Sequence, residues 1–253
     1  MKKLFAIIIA SVMVTAFAIV SSACAPAQDT LQVYTNAGFA PFEYVDEKAN
    51  VVGVDIDIMK AIGKELGYKV VINDIEFEQI LKEVEKNELA VGAAGMSKKA
   101  ECDEVALASI VYATSVQYVI APNGTFLNDS VVTMDELYAT IDKIGAQKGT
   151  TGYFLLEETF AEEDIIQFSN AIIASGDIGS TVEAVVIDEL PAKSIAAANA
   201  DLSCWKIDAE PESYVLYFNK SATELVEKVN KVLGKMIEDG TIDQYIINHS
   251  NGK

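Results

Sequence analysis

The sequence predicts an α/β fold, and two observations carry that prediction. From Leu31 onward short apolar runs alternate with amphipathic stretches, the pattern of a mostly parallel sheet flanked by helices. No internal repeat of roughly 20 to 50 residues, and no low-complexity block beyond residues 25–28, interrupts the alternation.

Leu31–Thr35 reads as the first strand, and Asp55–Leu66 as a helix with Ile56, Met59, Ile62 and Leu66 on one face, stopped by Gly67. Lys69–Ile72 is the next strand, Phe77–Lys86 a helix through Ile80, Leu81 and Val84, and Leu89–Ala94 a buried strand ending at Gly95. After Ser115–Ala121 the loop residues Pro122, Asn123 and Gly124 break the pattern and suggest a lobe boundary. Strands are expected at Lys143–Ala146, Ile165–Phe168 and Glu183–Ile187, and helices at Met134–Ile141, Thr151–Glu158 and Pro191–Asn199. Ser213–Asn219 reads as one more strand. The last long helix, Ala222–Ile237, aligns Leu225, Val229, Val232, Leu233 and Met236, and Gly240 precedes a short tail helix. No linker is long enough to separate independent domains, so two entwined lobes fit the pattern best.

The first residues carry a different message. Lys2 and Lys3 precede an apolar run from Leu4 to Val20, then Ser21, Ser22, Ala23 and Cys24, before the chain turns polar at Gln28 and Asp29. That order is the grammar of a bacterial export signal, and the run is shorter than the roughly 20 residues a spanning helix needs. Cys24 after small residues resembles the lipobox of bacterial lipoproteins, with Ser21 where Leu, Val or Ile usually stands. Residues 1–23 are therefore expected to be a signal peptide, and 24–30 a tether lipidated on Cys24 that anchors the protein outside the cytoplasm.

The formal net charge is −19. Such a surface repels phosphate backbones and anionic headgroups, which argues against nucleic-acid binding and against a basic membrane-docking face. All 19 basic residues are lysine. The chain therefore lacks the side chain whose planar fork grips carboxylates bidentately. Cys102 and Cys204, the remaining cysteines, lie far apart, make neither a disulfide framework nor a metal site, and are expected to be buried thiols.

Gly38-Phe39-Ala40-Pro41-Phe42-Glu43-Tyr44, followed by Gly53-Val54-Asp55-Ile56-Asp57, resembles the opening of polar amino-acid-binding proteins of ABC importers. The resemblance continues at Ala94-Gly95-Met96-Ser97, Gln147-Lys148-Gly149-Thr150-Thr151-Gly152, Val185-Val186-Ile187-Asp188 and Asp239-Gly240-Thr241, covering nearly all of the chain after the leader. It implies a two-lobed periplasmic-binding-protein-like fold of type II, each lobe a mostly parallel sheet flanked by helices, joined by a two-stranded hinge. The lobes would be 31–118 with 211–253, and 119–210. The partners implied are an amino acid or small amine, an ABC permease and the membrane through the N-terminal lipid, with the protein itself a monomer and no cofactor.

The resemblance also implies ligand-binding residues: Asn36, Phe39, Phe77, Gly95, Met96, Ser97, Cys102, Thr150, Thr151 and Asp188. Phe39 and Phe77 would sandwich the ligand stem, since aromatic faces accept both aliphatic and cationic groups. Asp188, at the end of the apolar run 184–187, would pair with the ligand amine; its bland alternative is an N-cap for the helix near Pro191. Gly95, Ser97 and Thr151 would donate to the ligand carboxylate. In Met96-Ser97-Lys98-Lys99-Ala100-Glu101-Cys102 the family places a carboxylate-clamping arginine at the last position, and here Cys102 stands there. Either backbone donors with Lys98 or Lys99 hold the carboxylate, or the ligand is mainly an amine, with Glu43 or Glu76 assisting.

Two other classes compete. An enzyme on the same two-lobed scaffold, dehydratase-like, is weakened because the only histidine is His249 and no serine nucleophile elbow occurs. A ligand-sensing ectodomain would bind in the same way. Asp55 and Asp57, at a helix start, are expected to complement its dipole.

Overall fold

The computed structural model describes residues 29–127 and 131–251. The export signal, Cys24 and most of the expected tether lie outside those residues. In chain order the first part comprises β1 (Thr30–Thr35), β2 (Tyr44–Val45), β3 (Val51–Val52), α1 (Val54–Leu66), β4 (Lys69–Asp74), α2 (Ile80–Val84), β5 (Ala90–Gly92), α3 (Ala100–Val105) and β6 (Ala106–Ala108). The middle comprises β7 (Ala113–Ser115), β8 (Gln117–Pro122), α4 (Met134–Thr140), β9 (Ile144–Gln147), α5 (Thr151–Glu157), β10 (Ile165–Phe168), α6 (Ala171–Gly176), β11 (Ala184–Asp188), α7 (Glu189–Ala198) and β12 (Leu202–Lys206). The chain then returns through β13 (Glu212–Tyr214), β14 (Tyr217–Asn219), α8 (Thr223–Glu238) and α9 (Thr241–Ser250).

Two five-stranded sheets result, ordered β4-β1-β5-β14-β6 and β10-β9-β11-β8-β12. In each, three strands are parallel and the last two join antiparallel. Four strands of each sheet therefore run the same way and one, β14 or β8, runs against them, in keeping with the mostly parallel sheets expected from the apolar pattern. The chain leaves the first sheet through β7 and enters the second at β8; it returns through β13, which pairs antiparallel with β7. This short ribbon is the two-stranded connection between lobes. The passage falls at Val116, ahead of the Pro122–Gly124 turn, because Gln117 already pairs with Asp188 in the second sheet.

Apolar spacing explains how each sheet is covered. In α1, Ile58, Met59 and Ile62 pack with Leu31 and Val33, and in α8 Leu225, Val229 and Leu233 close the same core. Val226 also joins the buried stripe on α8, whereas Val232 is only partly buried against the core. The opposite face of this sheet is sealed by Ile80, Val84 and Tyr217. The second lobe packs Leu137, Leu156 and Trp205 over Ile144, Ala146 and Val186.

Some segments differ from their sequence pattern. Phe77–Gln79 is 3-10 before α2 begins, and the Ser213–Asn219 run divides into β13 in the hinge and β14 in the first sheet. One sequence run thus serves two sheets. Asp55 is fully buried, accepting Gly95 N–H at 2.9 Å and the Tyr112 hydroxyl at 2.7 Å, so it braces a loop rather than merely complementing a dipole. Asp57 meets His249 Nε2 at 2.9 Å, and the Tyr44 hydroxyl lies 3.0 Å from His249 Nδ1, tying the tail helix to α1. Cys102 and Cys204 are free and half-buried instead of fully covered.

Candidate functional site

In an open α/β sheet, ligands bind beyond the carboxyl ends of strands where the strand order reverses direction. In the first sheet that point lies between β1 and β5, and in the second between β9 and β11. The strand ends there are followed by Asn36, by Ala94–Ser97, by the Gln147–Thr151 turn and by Asp188 itself. The two points face each other across one cavity of about 1270 Å³. That exceeds the roughly 300–1,000 Å³ typical of small-molecule pockets.

All ten residues expected from the sequence line this cavity: Asn36, Phe39, Phe77, Gly95 and Met96 from the first lobe, with Ser97 and Cys102 beside them, and Thr150, Thr151 and Asp188 from the second. Asp188 occupies the N-cap position of α7 but makes no side-chain capping bond. Its Oδ1 instead accepts the Tyr214 hydroxyl at 2.6 Å. Burial first, then the Glu212 carboxylate, pushes the Asp188 carboxyl up to about 7, against hydrogen bonds from Tyr214, Gln117 and Ser115 that favour its ionised form.

Two of the three donors expected to hold a ligand carboxylate, Gly95 and Ser97, are already engaged, and Thr151 lines the cavity. Gly95 N–H serves Asp55, and the Ser97 hydroxyl donates to Glu212 Oε2. Gln117 Nε2 donates to the other oxygen, Glu212 Oε1. Thr150 caps α5 by accepting Tyr153 N–H at 3.3 Å while donating its hydroxyl to Gln147 O at 2.8 Å. Cys102 lines the wall, its thiol pushed up by burial. Of the two candidate lysines, Lys99 lines the cavity and Lys98 does not. Lys99 Nζ lies 4.6 Å above the Phe154 ring, its ammonium pKa lowered by burial despite nearby Glu212 and Asp188. Glu43 also lines the cavity, whereas Glu76 faces a separate hollow of about 260 Å³ beside Lys148 and Phe168.

Glu43 is 1% exposed, and its carboxyl is held well above the usual range by burial, then by Asp55, Asp188 and Asp74. Its Oε2 has no hydrogen-bond partner. Polar contacts span the cleft, with Gln147 Nε2 donating to Asn36 Oδ1 at 2.8 Å, Lys148 pairing with Glu78 at 3.0 Å and Lys99 covering Phe154, and Phe39 packs against the second lobe's Ile187 cluster. Sequence reasoning missed Gln117, Gln147, Phe154 and Glu212. Gln147 stood within a motif already singled out, while nothing local marked the other three.

Two α/β lobes, a two-stranded hinge and a cavity between strand ends define a two-lobed solute-binding protein. The chain belongs to the bacterial extracellular solute-binding proteins, family 3, whose model matches residues 31–249. It is similar to the arginine-binding extracellular protein ArtP of Bacillus subtilis, with 26% identity over 83% of this chain and 82% of that one. A probable histidine-binding protein of Neisseria gonorrhoeae is 26% identical over 88% of this chain and 84% of its own. Among solved structures, the substrate-binding protein AbpA of Streptococcus pneumoniae bound to L-arginine superposes with a TM-score of 0.79 at 28% identity, covering 88% of this chain and 94% of that one. An ancestral arginine-binding protein bound to glutamine gives 0.79 at 31% identity, covering 89% and 99%.

Proposed function

We propose that this chain captures an amino acid or related small amine in the inter-lobe cleft, outside the cytoplasm, and presents it to the permease of an ABC importer. The observation that carries this reading is Asp188: a carboxylate at the strand-order reversal, free of capping duty, buried and facing the cavity. An ammonium or guanidinium there meets an anion in a low-dielectric setting, while Phe39 and Phe77 flank the cleft with faces that accept a cation or its stem. Asn36, Met96, Ser97, Cys102, Thr150 and Thr151 complete the ligand shell in this reading, with Gly95 shaping its floor. The arginine and histidine named for the relatives agree with a cationic ligand.

In the same reading, residues 1–23 direct export, Cys24 carries the lipid, and the monomer closes its two lobes, which meet at Val116 rather than at the expected 118–119, around the solute. A binding role without turnover is supported by His249, the only histidine, which is engaged with Asp57 and Tyr44 at the tail rather than lining the cleft. The test is a thermal-shift screen of the mature protein against amino acids, their amides, and amines. A ligand at a hundredfold excess over its Kd stabilises by about 2.7 kcal/mol and is expected to raise Tm by roughly 5 °C or more. A flat response across every amine-bearing compound overturns the reading.

A further inference from the structure

The polar atoms lining the cavity have a one-sided chemistry. Two residues of the lining, Glu43 and Gln117, each carry one buried side-chain oxygen without a hydrogen-bond partner, Oε2 and Oε1, just beneath the cavity wall. Two of the three donors expected to greet an anion, Gly95 N–H and the Ser97 hydroxyl, are bonded to the protein's own carboxylates, Asp55 and Glu212, which leaves Thr151 of the other lobe. Glu212 is buried and lines the cavity, so a second carboxyl group sits beside Ser97, where the resemblance would seat a ligand carboxylate. Cys102 supplies no positive charge, the chain contains no arginine, and Lys99 is already placed over Phe154 and close to Glu212. A carboxylate brought here would be desolvated against Glu212 and Asp188 with no fork to receive it.

We propose that the cleft selects a small alkylamine or alkylguanidine cation that carries no carboxylate. The inference rests on the solute-binding reading above and names its ligand class. The cation's N–H groups satisfy Asp188 and the unpartnered oxygens of Glu43 and Gln117, while its alkyl stem lies against Phe39 and Phe77. Glu212 fills from within the protein the place beside Ser97 that a ligand carboxylate would take, and by occupying the Ser97 and Gln117 donors it discriminates against amino acids.

The test uses pairs that differ by one carboxylate: agmatine against arginine, cadaverine against lysine, and putrescine against ornithine, titrated calorimetrically into the mature protein at pH 7.5. The decarboxylated member of at least one pair is expected to bind tenfold or more tighter than its amino acid. In Glu212→Gln that preference is expected to shrink about tenfold, and in Lys99→Met to persist. Equal or tighter binding of the amino acids overturns this inference and leaves the solute-binding reading standing. So does the absence of binding by all six compounds when the wider screen finds another amine-bearing ligand. If that screen is flat as well, both fall. Loss of the preference in Lys99→Met also overturns it, because the lysine would then be contributing to ligand choice.

Discussion

The Tyr214 hydroxyl donates to Asp188 Oδ1 at 2.6 Å, so a residue of the hinge ribbon holds the second lobe's cleft carboxylate in place. Tyr214 is fully buried and packs edge-on against Phe42 at 5.0 Å between ring centroids. Any lobe motion that bends β13 also moves the donor that keeps Asp188 aimed. Hinge geometry and ligand electrostatics are therefore coupled through one hydrogen bond.

Asp188→Asn removes the charge while keeping the shape. A charge-assisted bond contributes about 1.5–3 kcal/mol, so affinity for a cationic ligand is expected to fall tenfold to hundredfold or more. The unliganded variant should melt no lower than the parent at pH 8, because a buried ionised carboxylate is gone. Calorimetry and thermal denaturation check the two halves separately, and retained affinity contradicts the assignment of Asp188.

Tyr214→Phe deletes only the donor. The ionised form of Asp188 loses a hydrogen bond, so its carboxyl titrates still higher than about 7. Cation affinity at pH 7 is expected to drop several-fold and to recover by pH 9, where Asp188 is ionised again. A pH-independent loss would instead mean that the phenol only packs.

Stability of the empty protein should fall as pH rises. Asp55 and Asp188 are held up to about 6 and about 7, mainly by burial, so each binds its proton more tightly folded than unfolded. The stability they contribute is fully present below the ordinary Asp value of about 3.9 and is lost as pH rises through 6 to 7. A displacement of roughly two pH units corresponds to a contribution on the order of 3 kcal/mol. Asp46 and Asp239, lowered by hydrogen bonds at the surface, act only below about pH 4. Calorimetric scans at constant ionic strength should give the highest Tm near pH 4 and a value several degrees lower at pH 8. A Tm rising steadily from pH 5 to 8 runs against this account.

Much of this arrangement was legible because it is local. Ile165–Phe168 forms a strand with the bounds its apolar run suggests, and the stripe on α8 required only helical spacing. The cleft residues near Phe39, Gly95 and Asp188 stood in segments that resemble a family, and their placement on one cavity follows from strand ends alone. What was hidden depends on long-range pairing. Strands β6, β7 and β13, of three residues each, are too short to show a period. Glu212 meets Ser97 across 115 positions and Gln117 across 95, and no local pattern announces such a contact. The burial of Asp55 was equally invisible, since a carboxylate in a first helical turn normally faces water.

The cross-cleft contacts should differ in weight. Lys148 and Glu78 are about half and a third exposed at 54% and 38%, so Lys148→Ala is expected to change affinity less than threefold. Gln147 is buried, and its amide joins Asn36 Oδ1 to Ser169 O at 2.8 and 2.9 Å. Gln147→Leu leaves those acceptors unmet in the closed arrangement, and a loss of about tenfold is expected. Small-angle scattering of the liganded variant should show a larger radius of gyration than the parent. An unchanged radius and affinity would remove Gln147 from lobe closure.

Two glycines separate folding from binding. Gly53 has φ of 136°, and a Cβ there would lie 2.1 Å from the Phe42 carbonyl oxygen, a backbone atom that cannot yield. Gly53→Ala should therefore break the turn between β3 and α1 and destabilise by more than about 3 kcal/mol, seen as a collapse of the soluble yield or of Tm. Gly95 has φ of 52°, and its added Cβ would lie 2.6 Å from Cε1 of Phe39, a ring at the cleft surface. The left-handed backbone costs only about 1 kcal/mol for alanine, and the ring can swing away. Gly95→Ala should therefore fold, with Tm lowered by a few degrees, and lose affinity about tenfold because Phe39 no longer lies against the ligand stem. Equal loss of stability in both variants would mean that Phe39 is a core residue whose ring cannot move.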